Sequence, residues 1–192
     1  SGPEDLIRLV EGRGIVLDTL VNNAGFGLKG PFAEQPYAEL VDMVELNVLA
    51  VTKLSRLVLP ALIARRRGGI LNVASTAAFQ AGPNMALYYA TKAFVLSLSE
   101  ALYEEAKPHG VKVTALCPGP TRTEFADRAR MGKVPLLKLG AMSAAEVARI
   151  GLAGYEAGRA VVIPGAQNRL TSLGAQLVPR AFARGIAKRL QS

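Results

Sequence analysis

Apolar positions change period along this chain, and the changes cut it into alternating segments. Residues 3–11 follow a helical spacing behind a small N-terminal cap region, and IVLDTLVNNAG (15–25) is a short apolar run that ends in turn residues, the pattern of a buried strand. Pro36 suits the first position of a helix, and from there to about residue 65 Leu40, Met43, Val44, Val48, Val51, Leu54 and Val58 recur at helical spacing. GGILNVAS (68–75) predicts a second strand, residues 86–107 a long helix, and GVKVTALCPG (110–119) a third strand stopped by Pro-Gly. Ser143 and Glu146 form a capping-box pair that opens a helix to about residue 157, and AVVIPG (160–165) predicts a fourth strand. A basic amphipathic tail runs from residue 166 to residue 192, with Pro179 splitting it into two helices.

Strands separated by helices of this length predict an α/β fold, a doubly wound parallel sheet with helices on both faces. In such sheets ligands gather at the carboxyl ends of the strands. Three suggestive stretches lie there: Asn22-Asn23-Ala24-Gly25, Ser75-Thr76 and Pro118-Gly119.

Composition narrows the picture. With 192 residues, 50% hydrophobic and 20% charged, the chain is long enough for one core and too short for two full domains, so 1–192 reads as a single domain. The single Cys117 has no intramolecular disulfide partner, which suggests a reducing, cytoplasmic setting. No uninterrupted run of 18 apolar residues predicts a membrane span. Net charge is +8, concentrated in Arg65-Arg66-Arg67 and in five positives after residue 167 that no acid accompanies. Such runs read as solvated faces. Nucleic-acid binding is the weaker alternative, since no aromatics interleave with the basic residues. No His/Cys/Asp/Glu cluster has the spacing of metal ligands, and no metal site is expected.

Candidate chemistry centres on YYATK (88–92). Tyr88 and Lys92 are four apart, so on a helix their side chains share a face. An ammonium beside a phenol favours the phenolate, which predicts a lowered pKa for Tyr88 and a group able to trade a proton near neutrality. Ser75 at a strand end could polarise a carbonyl oxygen, and Pro118-Gly119 could floor a flat ligand because glycine has no side chain there. By itself Y-x-x-x-K is a weak signal that any long helix could carry.

The combination is more specific. NNAG after a strand, Asn47 in the next helix, Ser75, Tyr88 thirteen residues later, Lys92, and PGPTRT after the following strand resemble the motifs of the short-chain dehydrogenase/reductase family, in its order and near its spacings. The resemblance runs from about Ile15 to Gly165 and implies a Rossmann-like fold and hydride transfer between NADP or NAD, with a lean to NADP, and a carbonyl or secondary alcohol. Carried over by position, Tyr88 would be the acid in reduction and the base in oxidation, and Lys92 would tune it and hold the nicotinamide ribose. Ser75 would bind the substrate carbonyl, and Asn47 would interrupt its helix and hold a water in a proton relay. Asn23, Ala24 and Gly25 would line the adenosine side of the cofactor, and Pro118, Gly119, Thr121 and Thr123 the nicotinamide. Thr121 stands where the family often has Val or Ile. Tyr89 has no lysine four residues on.

The front departs more. No glycine-rich, pyrophosphate-binding turn precedes NNAG. Two missing βαβ steps would amount to about 60 residues, so the expectation is the C-terminal portion of a seven-stranded sheet, with about four strands present. The strand at 15–23 would then be an unpaired edge, and this chain by itself would bind cofactor poorly. The expected explanation is a preceding segment that was cleaved or lies outside this sequence.

The loop before Tyr88 would bring Phe79, Gln80 and Met85 to a substrate pocket. The segment 123–140, with Phe125, Met131, Val134, Leu136 and Leu137, would form a mobile lid favouring a hydrophobic substrate, unless those side chains serve ordinary packing. Relatives in the family usually pair through the two long helices, which implies a homodimer or tetramer. The tail suits packing on the enzyme better than an anionic membrane surface. The competing reading is a non-catalytic fragment or paralogue that acts as a binding or membrane-associated module.

Overall fold

The structure, a computed structural model, describes residues 2–129 and 141–177. Four parallel strands form the main sheet: β1 (Thr19–Asn22), β2 (Gly69–Val73), β3 (Lys112–Leu116) and β6 (Val161–Val162), in the order β1-β2-β3-β6. Thr19 is in register with Gly69, and Ile70 with Val113. Between β1 and β2 run α2 (Tyr37–Val44), a π-helical turn (Glu45–Ala50) and α3 (Val51–Arg65), and between β2 and β3 runs α4 (Ala86–Ala106). After β3 come β4 (Thr121–Arg122), α5 (Phe125–Arg128), β5 (Met142–Ser143) and α6 (Ala144–Glu156), and α7 (Ala166–Leu177) follows β6. The first helix, α1 (Gly2–Gly12), lies against α3 through Ile7 and buries none of its residues fully.

Alternation along the strands sorts the helices. Leu20, Ile70 and Val113 point to one face, where Val58 and Leu62 of α3 and Ala106 of α4 cover them. Leu71 and Leu116 point to the other, where Val147 and Tyr155 of α6 cover them. This is the doubly wound arrangement expected from the sequence. β2 is buried on both faces, as a central parallel strand must be.

The strands are shorter than the apolar runs. β1 begins at Thr19 rather than Ile15, because its only partner among the described residues, β2, begins at Gly69, whose N–H reaches the Asp18 carbonyl at 3.0 Å, and leaves nothing for 15–17 to pair with. Val16 is 70% exposed and Val21 48%, so the edge is open, as expected. A second sheet, the two-residue parallel pair β4–β5, was not predicted.

Two sequence expectations need adjustment. The helix Tyr37–Arg65 is long and apolar enough to cross a membrane by length and composition, although no uninterrupted apolar run marked it. It nevertheless carries Leu40, Met43, Asn47, Val51, Ser55, Val58 and Leu62 into the core. The arginine triplet is more than a solvated face. Arg65 donates to the Leu17 carbonyl, Arg66 donates to the Pro108 carbonyl and Arg67 pairs with Asp18, so the three staple loops at the amino ends of the strands.

Beneath the carboxyl ends of β1 and β2 lies a buried polar chain. Asn22 Nδ2 donates to Asn72 Oδ1 at 2.8 Å and Asn72 Nδ2 donates to Ser99 Oγ of α4 at 2.9 Å. Ser99 in turn donates to the Val95 carbonyl at 2.6 Å. Buried amides with every partner in place fix one arrangement of strands and helix.

Candidate active site

β2 delivers Ser75 to the carboxyl edge of the sheet. There it caps the turn Thr76–Phe79, its Oγ accepting the Ala77 N–H at 3.1 Å. That bond uses a lone pair and leaves the hydroxyl proton free, and Ser75 favours ionisation of the Tyr88 phenol. Tyr88 sits in the first turn of α4 and Lys92 one turn later, both buried, with the ammonium 5.9 Å from the centre of the Tyr88 ring. Lys92 Nζ donates one proton to the Val73 carbonyl at 2.8 Å, and no carboxylate among the described residues pairs with it.

The electrostatics reverse one expectation. Burial pushes the Tyr88 phenol from 10.0 up to about 12, and Ser75 offsets only part of that rise. Burial also brings Lys92 from 10.5 down to about 8. The sequence argument counted the ammonium's attraction for a phenolate. It did not count desolvation, which penalises both charged forms and is the larger effect here. Tyr88 in this state is a firmly protonated donor. Cys117, fully buried under the same edge, is pushed up to about 12 by burial and is an inert thiol.

Asn47 lies in the middle of the π-helical turn Glu45–Ala50, the interruption that the family resemblance implied. Its Oδ1 accepts the Phe26 N–H at 3.1 Å, and its Nδ2 donates to the Phe26 carbonyl at 2.8 Å and to Thr91 Oγ1 at 3.1 Å. It thereby ties α3's lead-in to the loop after β1. In that loop Asn23 and Ala24 are exposed and Gly25 is half-buried. A Cβ on Gly25 would fall 2.9 Å from Asn47 Oδ1 and 3.5 Å from Lys92 Nζ, so only glycine brings the backbone this close to the lysine.

The nicotinamide-side candidates follow β3. Pro118 and Gly119 are half-buried, but the space that Gly119 leaves free is not open to a ligand. A Cβ there would fall 2.4 Å from Oδ1 of Asn168 on α7, so that side of the glycine is taken by protein. Thr121 Oγ1 donates to the Gly119 carbonyl at 2.9 Å, while Thr123 Oγ1 accepts the Phe125 N–H at 3.2 Å and opens α5.

The pocket candidates separate. Met85 is buried with Phe26, Leu28, Leu40, Met43 and Tyr88, and Phe125 packs against this cluster. Phe79 packs elsewhere, with Val51, Ala74, Val95 and Leu96, because the turn Thr76–Phe79 carries it away. Gln80 ends that turn half-buried. Residues 130–140, with Met131, Val134, Leu136 and Leu137 of the expected lid, and the tail beyond 177 lie outside the described residues. Sequence reasoning missed Thr91, Asn72, Gly27 and Asn168. A polar Asn72 inside an otherwise apolar strand was the one signal that could have been read; the others show only through contacts distant in sequence.

Residues 4–133 match the family profile described as short chain dehydrogenase. Among curated proteins, the very-long-chain 3-oxoacyl-CoA reductase of Phaeosphaeria nodorum is 39% identical over 115 residues, which cover 59% of this chain and 33% of that protein. The chain thus spans about a third of the length of that relative. Among solved structures, a short-chain dehydrogenase from Sphingobium yanoikuyae in complex with NADPH is 35% identical with a TM-score of 0.75, over 89% of this chain and 66% of that one. The bulky-bulky ketone specific alcohol dehydrogenase of Comamonas testosteroni is 32% identical with a TM-score of 0.69, over 93% and 69%.

Proposed function

The chain belongs to the short-chain dehydrogenase family, and from that premise we propose that it carries the catalytic centre of an oxidoreductase that interconverts a carbonyl and a secondary alcohol using NADP(H) or NAD(H). The observation that carries the reading is the buried pair Tyr88 and Lys92 one helical turn apart, the ammonium 5.9 Å from the ring centre, with Ser75 favouring ionisation of the phenol. The residues present fit such a cofactor. The Lys92 ammonium gives one donor to the Val73 carbonyl, and no carboxylate among the described residues takes the others. When bound, the nicotinamide supplies or accepts the hydride. NADP is favoured over NAD, since the Sphingobium yanoikuyae relative holds NADPH.

The chain's own groups do the rest. Ser75 presents its hydroxyl proton to the substrate oxygen and orients it beside Tyr88. Tyr88 donates its phenolic proton to that oxygen as negative charge develops, and takes it back in the oxidation direction. Lys92, held by the Val73 carbonyl, faces the developing phenolate and lowers the cost of forming it. Its own pKa near 8 allows it to pass on a proton close to neutrality. Asn47 fixes the loop after β1 against the lysine. Gly25, with exposed Asn23 and Ala24, and Pro118, Gly119, Thr121 and Thr123 are the residues to bear the two halves of the cofactor.

A hydrophobic substrate is favoured by the apolar surroundings of Tyr88, which are Phe26, Leu28, Met85 and Phe125. Pairing through the long helices is supported by apolar side chains left exposed on them, Tyr37, Val41, Leu57 and Phe94. A cytoplasmic enzyme with a tail packed on protein completes the reading. Replacing Tyr88 by Phe in the complete protein should abolish substrate-dependent loss of NADPH absorbance across a panel of ketones and aldehydes while cofactor binding persists. Retained turnover would sink the assignment.

A further inference from the structure

We propose that Thr91 is a positioning residue that selects the orientation of the Asn47 amide and so holds the loop after β1 in register with Tyr88 and Lys92. The inference rests on the hydride-transfer reading above. Thr91 is 2% exposed, on the α4 turn between the tyrosine and the lysine. Its hydroxyl has one proton, which it donates to the Tyr88 carbonyl at 2.8 Å. The oxygen can therefore only accept from a second partner, and it accepts from Asn47 Nδ2 at 3.1 Å. The other Nδ2 proton goes to the Phe26 carbonyl and Oδ1 takes the Phe26 N–H. If the amide were reversed, its NH2 would face the Phe26 N–H, donor against donor, and its oxygen would face the Thr91 oxygen.

The consequence reaches the site through contact. Oδ1, placed by this arrangement, is the atom against which Gly25 packs, and a Cβ on Gly25 would lie 3.5 Å from Lys92 Nζ. Removing the Thr91 oxygen leaves a buried amide N–H unpaired and frees the amide to tilt. A serine keeps the oxygen, whereas a valine of nearly the same shape does not.

The test uses the purified protein with Thr91→Val, Thr91→Ser, Asn47→Ala and the Thr91→Val/Asn47→Ala double variant, read by NADPH oxidation and by amide hydrogen exchange. Thr91→Val should lower kcat/KM about tenfold, and Thr91→Ser should stay within about twofold of wild type. The double variant should be no slower than Asn47→Ala alone, because Thr91 acts through Asn47. Exchange at the Phe26 N–H should accelerate about tenfold in Thr91→Val and not in Thr91→Ser. The proposal is overturned by wild-type exchange at Phe26 in Thr91→Val, by a serine variant as impaired as the valine, or by losses that multiply in the double variant. Tyr88→Phe is run alongside. If it retains turnover the oxidoreductase reading fails, and the exchange data still decide the coupling between Thr91 and Phe26.

Discussion

The Phe125 ring lies across the Tyr88 ring, with 5.2 Å between centroids and 47° between planes, and Gly27 packs against both. The phenol that would donate the proton is thus sealed by a side chain from the first turn of α5. Backbone contacts hold that turn down, since the Lys29 N–H donates to the Ala129 carbonyl at 3.0 Å and the Arg128 guanidinium lies over the Phe26 ring.

Phe125→Ala should therefore re-expose Tyr88. Its ionisation, pushed up to about 12 by burial, should move back toward 10. Ultraviolet titration against a Tyr88→Phe control reads this directly, and an unmoved transition would show that Phe125 is not the cover. Because Phe125 is only half-buried, the stability loss should be roughly 1–2 kcal/mol, below the range for a full-core aromatic.

Tyr88 and Lys92 act on stability in different windows, and the buried Cys117 thiol, raised from 9.0 to about 12, opposes Lys92 above pH 9. Tyr88 binds its proton more tightly folded than unfolded, so its contribution is full below pH 10 and is lost as pH rises through about 12. Lys92 binds its proton less tightly folded, so stability should rise with pH between about 8 and 10.5. Urea midpoints measured from about pH 7.5 to 9, below the Cys117 window, should climb in wild type and stay flat in Lys92→Met. A climb of equal size in that variant would refute the assignment.

Asn72→Ala should be among the most destabilising single changes. It leaves Asn22 Nδ2 with only its 3.4 Å contact to Ser55 Oγ, removes the donor that Ser99 Oγ accepts, and opens a cavity, at a combined cost of roughly 3 kcal/mol. Ser99→Ala, which strands one donor, should cost roughly half of that. Denaturant midpoints with unchanged slopes would show both, and an Asn72→Ala protein as stable as wild type would mean that the chain of amides contributes nothing net.

Gly119→Ala should impair folding or turnover because its methyl would meet the Asn168 amide at 2.4 Å. The cause is specific, so the remedy is too: Gly119→Ala combined with Asn168→Gly should recover most of the loss. Failure of that rescue in thermal melts and kcat/KM would place the strain elsewhere.

The layer order was legible because helical and strand periods are local properties. Lengths were not. An apolar run extends as far as its residues allow, and a strand only as far as its neighbour pairs, which is why Ile15 to Leu17 fell outside β1. Tyr88, Lys92, Ser75 and Asn47 could be read as a set because their order and spacing are linear. The same does not hold for Phe79, whose nearness in sequence to Ser75 suggested the pocket and whose turn carries it to Val95 and Leu96 instead. Nor could the sequence reveal the sign of the Tyr88 shift. Charge can be counted along a chain, but the water excluded by Phe125, Met85 and Gly27 can be counted only after folding.

β4 and β5 form a clasp of two residues each, Thr121 with Met142 and Arg122 with Ser143, fastened further by the Arg122 side chain on the Ala141 carbonyl at 2.8 Å. The chain leaves for 123–141 and returns beside its own point of departure, where Ser143 at once caps α6. The two ends of that segment are therefore held side by side. Doubling the length of a flexible loop between fixed ends costs only about 0.6 kcal/mol. A change of length between Ala129 and Ala141 would therefore leave the helix that follows, and the Phe125 cover of Tyr88, where they are. Length could then vary in that one segment while the rest of the scaffold stays as it is.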